Sequence, residues 1–424
     1  MNVATLRKGW CPGVLRPMPA GDGLLVRLRI TAGAVNSHMA QAIAALAAEH
    51  GNGEIDLTQR ANLQLRGVRE ECLPELTVAL ADRGLLDPTS QAEAVRNVMV
   101  SPLAGIDPDC ADGVAMAREL ESRLRSDIAL QTLPAKFAFA VDGGGRWPLG
   151  DTGADIALMA ASSGQFWRVG LGGSSLVSRP IGMDGAISVV IRLAGTFLAN
   201  GSKQGLRRMR DLVARDGATA IFATSGIAVA EPGGHRDQPV LPDAGCHQLN
   251  AAVTIAAIGL PFGRIEAAQL DRLAVAAGPE ASIRLTPWRL LAVSCSNEAA
   301  AIKLLAAAAS ENLVASASDP RLAIDACTGS PGCANASTPA RKDAAQIASD
   351  LPGSMFRRGT IHVSGCAKGC AHRGAAPVTL VGRDGFYDLI LNGGPADHPV
   401  ETGIVTTGLA NAVAGALARL ESLA

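Results

Sequence analysis

The sequence predicts a duplicated α+β protein in which one copy carries a metal centre. Two observations lead there. The stretches "EIDLTQRANLQLRGV", Glu54 to Val68, and "SIRLTPWRLLAV", Ser282 to Val293, share an Ile-x-Leu-Thr core at a spacing of 228 residues. Four of the nine cysteines fall in two tight, glycine-flanked pairs, "CTGSPGC" (Cys327 to Cys333) and "SGCAKGC" (Ser364 to Cys370).

A chain of 424 residues makes two or three domains at ~100–200 residues each, enough core to need no disulfide staples. The net charge of -1 and the lack of any basic block argue against a nucleic-acid surface or an anionic-membrane binder. The opening "MNVATLRKGWCPG" has no secretory apolar core. The longest apolar run, near Ala251 to Leu260, falls short of the ~20 residues that span a bilayer. The expectation is a soluble cytoplasmic protein, in which nine cysteines are metal ligands or buried thiols rather than a disulfide framework.

Each Ile-x-Leu-Thr stretch alternates apolar and polar residues as a half-buried strand does. Each follows an alanine-rich helical stretch, His38 to Glu49 or Glu266 to Ala277, and a strand-like run before it, so the unit reads strand, helix, strand. The same spacing sets "RNVMVSPLAG" against "IDACTGSPGC" and "PAKFAFAVDGG" against "HVSGCAKGCAH". It places Cys327, Cys333, Cys366 and Cys370 opposite Met99, Gly105, Ala138 and Asp142, so only the second copy has the thiols. Boundaries fall near Gln91, Gln238 and Ser316, with "EPGGHRDQPVLPDAG" (Glu231 to Gly245) the clearest linker. They divide the chain into 1–90, 91–237, 238–315 and 316–424.

Four thiolates at C-x5-C and C-x3-C can converge on a tetrahedral metal or on a [4Fe-4S] cluster, both of which take soft, deprotonated sulfur. Zinc pairs usually lie two to four residues apart, whereas x5 suits a loop wrapping a wider object. Gly329, Gly332, Gly365 and Gly369 would let backbone N–H groups approach its sulfides. Zinc and a set of unliganded buried thiols remain the alternatives.

These cysteines resemble the cluster signature of the siroheme-dependent sulfite and nitrite reductases, whose last cysteine also bridges the cluster to the siroheme iron. "LTQRANLQL" resembles their Thr-x-Arg-x-Asn-x-Gln stretch through Thr58, Arg60, Asn62 and Gln64, and "LPAKFAFAVDG" sets Lys136 at a substrate-side lysine. Within that superfamily "KGWCPGVLRPMPAGDGLLVRLR", "RLTPWRLL" and "SGCAKGCAHRG" are similar to the precorrin-3B synthase branch. The resemblance implies two ferredoxin-like half-domains, 1–90 and 238–315, and two larger α/β domains around a pseudo-twofold axis. Of these, 91–237 would lack cluster ligands and 316–424 would bear the [4Fe-4S] cluster. It further implies an oxygen-dependent monooxygenase of aerobic cobalamin biosynthesis, hydroxylating precorrin-3A at C20 and closing a lactone to give precorrin-3B. The alternative is a sulfite or nitrite reductase carrying siroheme.

A tetrapyrrole rimmed with carboxylates needs Arg and Lys in its pocket, because buried unpaired carboxylates cost several kcal/mol. Candidates are Arg60 and Arg284 from the matched strands, Lys136, and Arg207 and Arg208 of "GLRRMR", with Asn62 and Gln64 on the strand face of Arg60. Solvated surface arginine is the other reading of that run. A cluster fully ligated by cysteine does not readily bind O2. Either a mononuclear non-haem iron is also present, or the reduced cluster and the electron-rich tetrapyrrole activate O2 between them. No H-x-x-x-H occurs among the seven histidines, and His372 is the first to inspect, as ligand, cluster hydrogen-bond donor or packed loop residue. The five other cysteines read as small buried hydrophobes, although Cys11 in "WCPG" could fix a turn near the pocket. No G-x-G-x-x-G follows a strand, so electrons come from a separate reductase or ferredoxin. No residue is marked as acid or base.

Overall fold

The computed structural model describes residues 10–161, 164–230, 241–250, 253–357, 360–372 and 374–422. The boundary near Gln238 and His235 lie outside the described residues.

The chain begins with β1 (Met18–Ala20), β2 (Gly23–Leu28), β3 (Ala34–Asn36), the helix Ser37–His50, β4 (Glu54–Leu57) and β5 (Leu63–Val68). The stretch Glu54 to Val68 is therefore a hairpin and not one strand. The Thr58 hydroxyl accepts the N–H groups of Arg60 and Asn62, and Ala61 turns the corner at φ 52. The turn is invisible in the pattern because Ile55 and Leu57 lie an even number of residues from Leu63 and Leu65, so the alternation runs on unbroken. These residues pair across the hairpin, Ile55 with Leu65 and Leu57 with Leu63, and fill one core.

The next segment supplies β6 (Val98–Val100), β7 (Phe139–Asp142), β8 (Ile156–Ala160), β9 (Phe166–Leu171), β10 (Val177–Ser178), β11 (Ile181–Gly182) and β12 (Val229–Ala230). Three parallel strands, β6, β7 and β8, are followed by antiparallel β9. The helix Met183–Asn200 packs on this sheet. With the residues up to Gln204 it is long and apolar enough to cross a membrane, yet Ile187, Val190, Leu193 and Phe197 are buried in this unit's core.

The second half-domain has β13 (Gly245–Gln248), β14 (Thr254–Gly259), β15 (Arg264–Glu266), the helix Ala267–Ala277, β16 (Ser282–Leu285) and β17 (Leu290–Cys295). Its hairpin repeats the first bond for bond. Thr286 accepts from Trp288 and Leu290, and Arg289 turns at φ 62. The two half-domains exchange edge strands. β15 completes the sheet β1-β2-β5-β4, and β3 completes β13-β14-β17-β16. Each exchanged strand leaves a kink in which one residue, Ala32 or Phe262, takes φ near +55. The helices Ser37–His50 and Ala267–Ala277 pack together over a core shared by both copies.

The last segment repeats the larger unit as β18 (Ile324–Ala326), β19 (Ile361–Ser364), β20 (Ala376–Arg383), β21 (Phe386–Gly393) and β22 (Glu401–Ile404), again three parallel strands and then antiparallel ones. Register now sets the true equivalences. Asp325 pairs with His362 as Met99 pairs with Ala140, so Cys327 corresponds to Ser101 and Cys366 to Gly144. The constant spacing, which set them opposite Met99 and Ala138, drifts because the loops between the parallel strands differ in length.

Candidate active site

Cys327 leaves the end of β18 and Cys366 the end of β19, so both loops rise from the carboxyl ends of neighbouring parallel strands, where open α/β sheets bind ligands. The Gly365 N–H donates to Cys327 Sγ at 3.2 Å, as the Gly143 N–H donates to Ser101 Oγ at 2.9 Å in the other copy. A thiol has replaced a hydroxyl in a preserved turn. Gly329 and Gly369 sit at φ 72 and φ 62, and a Cβ on Gly329 would stand 2.3 Å from the Ala340 nitrogen.

Burial first, with Cys327, Cys366 and Cys333 adding against the pull of Lys368, pushes the Cys370 thiol up to about 11. Cys366 is raised by burial too, with Cys327 and Cys333 adding and a Lys368 backbone hydrogen bond opposing. The four sulfurs therefore feel each other, and iron would have to displace their protons. Among the described residues, however, no three His, Cys, Asp or Glu side chains close on a point that one ion could occupy. Cys370 is exposed as a residue, which leaves one corner of the site open to a ligand.

Both half-domain turns hold these loops. Gln59 Nε2 donates to the Ala371 carbonyl at 2.6 Å, and Arg289 donates to the Ile324 carbonyl at 2.7 Å while pairing with Asp325. Arg66 donates to the Gly332 carbonyl at 2.7 Å and pairs with Asp22 and Asp56. Asp56 also pairs with Arg264 and Arg341. Burial alone would raise its carboxyl, but Arg341, Arg264 and Arg66 together hold it well below the usual carboxylate range. The three arginines balance Asp22, Glu54 and Asp56, which is the condition for burying charge at tolerable cost.

Arg60 stands beside Gln59 in the first turn and donates to the Lys136 carbonyl at 2.7 Å. This brings Arg60, Lys136 and the Cys370 loop together. Asn62, just before β5, and Gln64, on its outer face, are buried, and Gln64 accepts from Arg27. Arg284 is not gathered here. It lies on β16, bonds Ser282 and faces Asp112 and Cys110 of the 91–237 segment. Arg207 is exposed before the helix Met209–Asp216. Arg208 is bonded to the buried Asp155 carboxylate and the Gly153 carbonyl, so its guanidinium is engaged by structural partners. His372 bonds Asp325 at 2.6 Å, and its ring lies 5.6 Å from that of His362. Among the described residues these three come near a 2-His-1-carboxylate set, but Asp325 is already taken by His372 and Arg289. With its carboxylate so engaged, the trio does not fit a mononuclear iron.

A family model described as the nitrite/sulfite reductase ferredoxin-like half domain matches residues 16–83. The structure of the Mycobacterium tuberculosis NirA protein superposes with a TM-score of 0.75 at 18% identity, over 92% of this chain and 79% of that one, so the architecture is of the nitrite/sulfite reductase type. A ferredoxin–nitrite reductase of Synechococcus elongatus is 27% identical across 89% of this chain and 79% of its own. A precorrin-3B synthase of Sinorhizobium is 36% identical over 403 residues, 92% of this chain and 84% of the relative.

The chain belongs to the precorrin-3B synthase family.

In this family member the sequence marked the cysteines and the first turn, but missed the arginines that dock the cysteine loops. Arg66 and Asp56 were legible only as charges of opposite sign inside apolar strands. Two cavities also went unforeseen. The larger, of about 320 Å³ and walled by Asp243, Ser318, Pro320 and Phe356 among others, has among the described residues no cationic lining side chain and none of the four cysteines. The smaller, of about 200 Å³, lies under Trp10–Arg16 beside Ala135, next to Lys136.

Proposed function

We propose that this chain converts precorrin-3A to precorrin-3B in aerobic cobalamin biosynthesis, as a cytoplasmic monooxygenase that hydroxylates C20 and closes the lactone. The observation that carries the reading is the 36% identity to a precorrin-3B synthase over 92% of the chain. In this reading Cys327, Cys333, Cys366 and Cys370 hold a [4Fe-4S] cluster, which supplies electrons received from a ferredoxin-like donor. Arg60 and Lys136 meet carboxylates of the macrocycle at the open corner beside Cys370, and Asn62 and Gln64 line the same face. A planar guanidinium pairs with a carboxylate through two parallel N–H bonds, each worth roughly 1.5–3 kcal/mol, which orders the ring against the cysteine loops. The Gln59 and Arg289 contacts keep those loops in register with the substrate face.

The experiment is aerobic incubation of cluster-loaded protein with precorrin-3A and reductant, with product mass read against an 18O2 control. Incorporation of labelled oxygen supports the reading. A Soret band in the purified protein together with nitrite or sulfite turnover would replace it with a siroheme reductase.

A further inference from the structure

The turn that carries Lys136 is pinned at its backbone. The Phe137 N–H donates to the Pro134 carbonyl at 2.7 Å, and Leu133 and Phe137 are buried on either side of the exposed lysine. Three successive carbonyls of this segment are then taken by side chains from elsewhere. Arg60 Nη2 donates to the Lys136 carbonyl at 2.7 Å, and Asn97 Nδ2 reaches those of Ala135 and Phe137, each at 3.3 Å. The same nitrogen donates to the Ala94 carbonyl at 2.8 Å and so closes the end of the helix Ser90–Val95.

Asn97 is 3% exposed, and among the described residues its Oδ1 has no donor. A buried amide that uses only its nitrogen costs free energy, which its N–H bonds must offset. The sheet does not demand an amide here. The Phe139 N–H donates to the Asn97 carbonyl as the Ile361 N–H donates to that of Ala323, which stands at the equivalent place of the other copy and has no side-chain donor. What distinguishes the first copy is the lysine turn that the Asn97 amide reaches.

We propose that Asn97 is a positioning residue, which holds the turn beneath Lys136 so that the ammonium meets the macrocycle from a fixed base. This rests on the tetrapyrrole reading above and deepens it. A lysine carries its charge on a flexible four-carbon stem, and every freedom left in the backbone below that stem adds to what binding must order. Arg60 depends less on this turn, because its own N–H is held by the Thr58 hydroxyl. Asn97 acts on the substrate through Lys136 and does not touch it.

The test uses the cluster-loaded protein and uroporphyrin III, which carries acetate and propionate arms, with affinity read by fluorescence quenching. The variant is Asn97→Thr, because a threonine hydroxyl can still donate to the Ala94 carbonyl three residues back while the Ala135 and Phe137 carbonyls are released. It is expected to weaken binding about fivefold, the cost of ordering one long side chain on association. In a Lys136→Met background the same substitution is expected to change affinity less than about twofold, since no ammonium is left to position. Folding is checked by circular dichroism, and Asn97→Ser takes its place if Asn97→Thr does not fold. An equal loss in both backgrounds, wild-type affinity in Asn97→Thr, or failure of both variants to fold makes the residue structural. Each overturns the proposal and leaves the tetrapyrrole reading intact, as does wild-type affinity in Lys136→Met alone. No binding of uroporphyrin III by the wild type overturns both.

Discussion

On the outer face of the first half-domain the hairpin presents Asp56, Asn62, Gln64 and Arg66, whereas the positions 228 residues later are Arg284, Leu290, Ala292 and Ser294. The turns between them are the same, down to the threonine that caps each one. Their surroundings differ. The first face meets the cysteine loops, which offer the carbonyls of Gly332 and Ala371 and therefore require donors. The second meets Leu103 and Trp147, and Ile255, Ala257 and Ala292 pack on them as an apolar cluster. After duplication the hairpin kept its backbone, and its outer face came to match whatever lay opposite: charge against a loop of free carbonyls, hydrocarbon against hydrocarbon.

The largest expected effect tests the other half of that comparison, the thiol in place of Ser101. Cys327→Ser keeps an acceptor for the Gly365 N–H, as Ser101 does for Gly143, so the sheet is expected to fold while bound iron and acid-labile sulfide are lost. A folded variant with undiminished iron would remove Cys327 from the ligand set.

Next is Asp56→Asn, which leaves Arg66, Arg264 and Arg341 around a neutral amide. Breaking a buried pair by removing one partner costs about 3–5 kcal/mol in urea unfolding. Arg284→Met at the equivalent position, whose side chain bonds only Ser282 among the described contacts, is expected to cost under about 1 kcal/mol. Equal losses would dissolve the contrast between the faces. Because Asp56 titrates in the folded state below its ordinary value of about 3.9, its stabilisation is present at neutral pH and fades as pH falls through and below 4. The Asn variant should lack that part of the acid limb.

A third contrast is His362 against its equivalent Ala140, both fully enclosed. Burial, with His372 adding, lowers His362 to about 4. Its folded value thus lies below the ordinary ~6.5, so the unfolded chain binds the proton first and stability falls as pH drops from 6.5 toward 4. Between pH 7 and pH 5 this amounts to about 2 kcal/mol. His362→Ala should remove that slope in urea titrations, and an unchanged slope would reassign it. His372 works the other way, raised by its bond to Asp325.

The smallest effect concerns Arg60, whose equivalent is Trp288. Arg60→Ala is expected to weaken uroporphyrin III binding about tenfold with iron content unchanged. Unaltered affinity would exclude it from the substrate face.

The duplication and the cysteine pairs were legible because both are local patterns: a strand motif repeated, and thiols a few residues apart. The hairpin in Glu54 to Val68 was not, since its turn contains no glycine or proline and keeps the alternation in phase. The bond of Arg208 to Asp155 was not legible, because nothing nearby in sequence announces a partner 53 residues away. The reach of Arg66 to Gly332 spans 266 residues.

The sequence by itself determined the repeated Ile-x-Leu-Thr segment, its apolar alternation and the four sulfurs with their flanking glycines, because each depends on side-chain period or on spacing within one loop. Only the tertiary structure decided that the half-domains trade edge strands, that Asp56 gathers three arginines, and that Cys327 stands where Ser101 stands. These depend on segments hundreds of residues apart meeting in one core, where the partner of a buried charge is fixed by packing and not by neighbourhood in the chain.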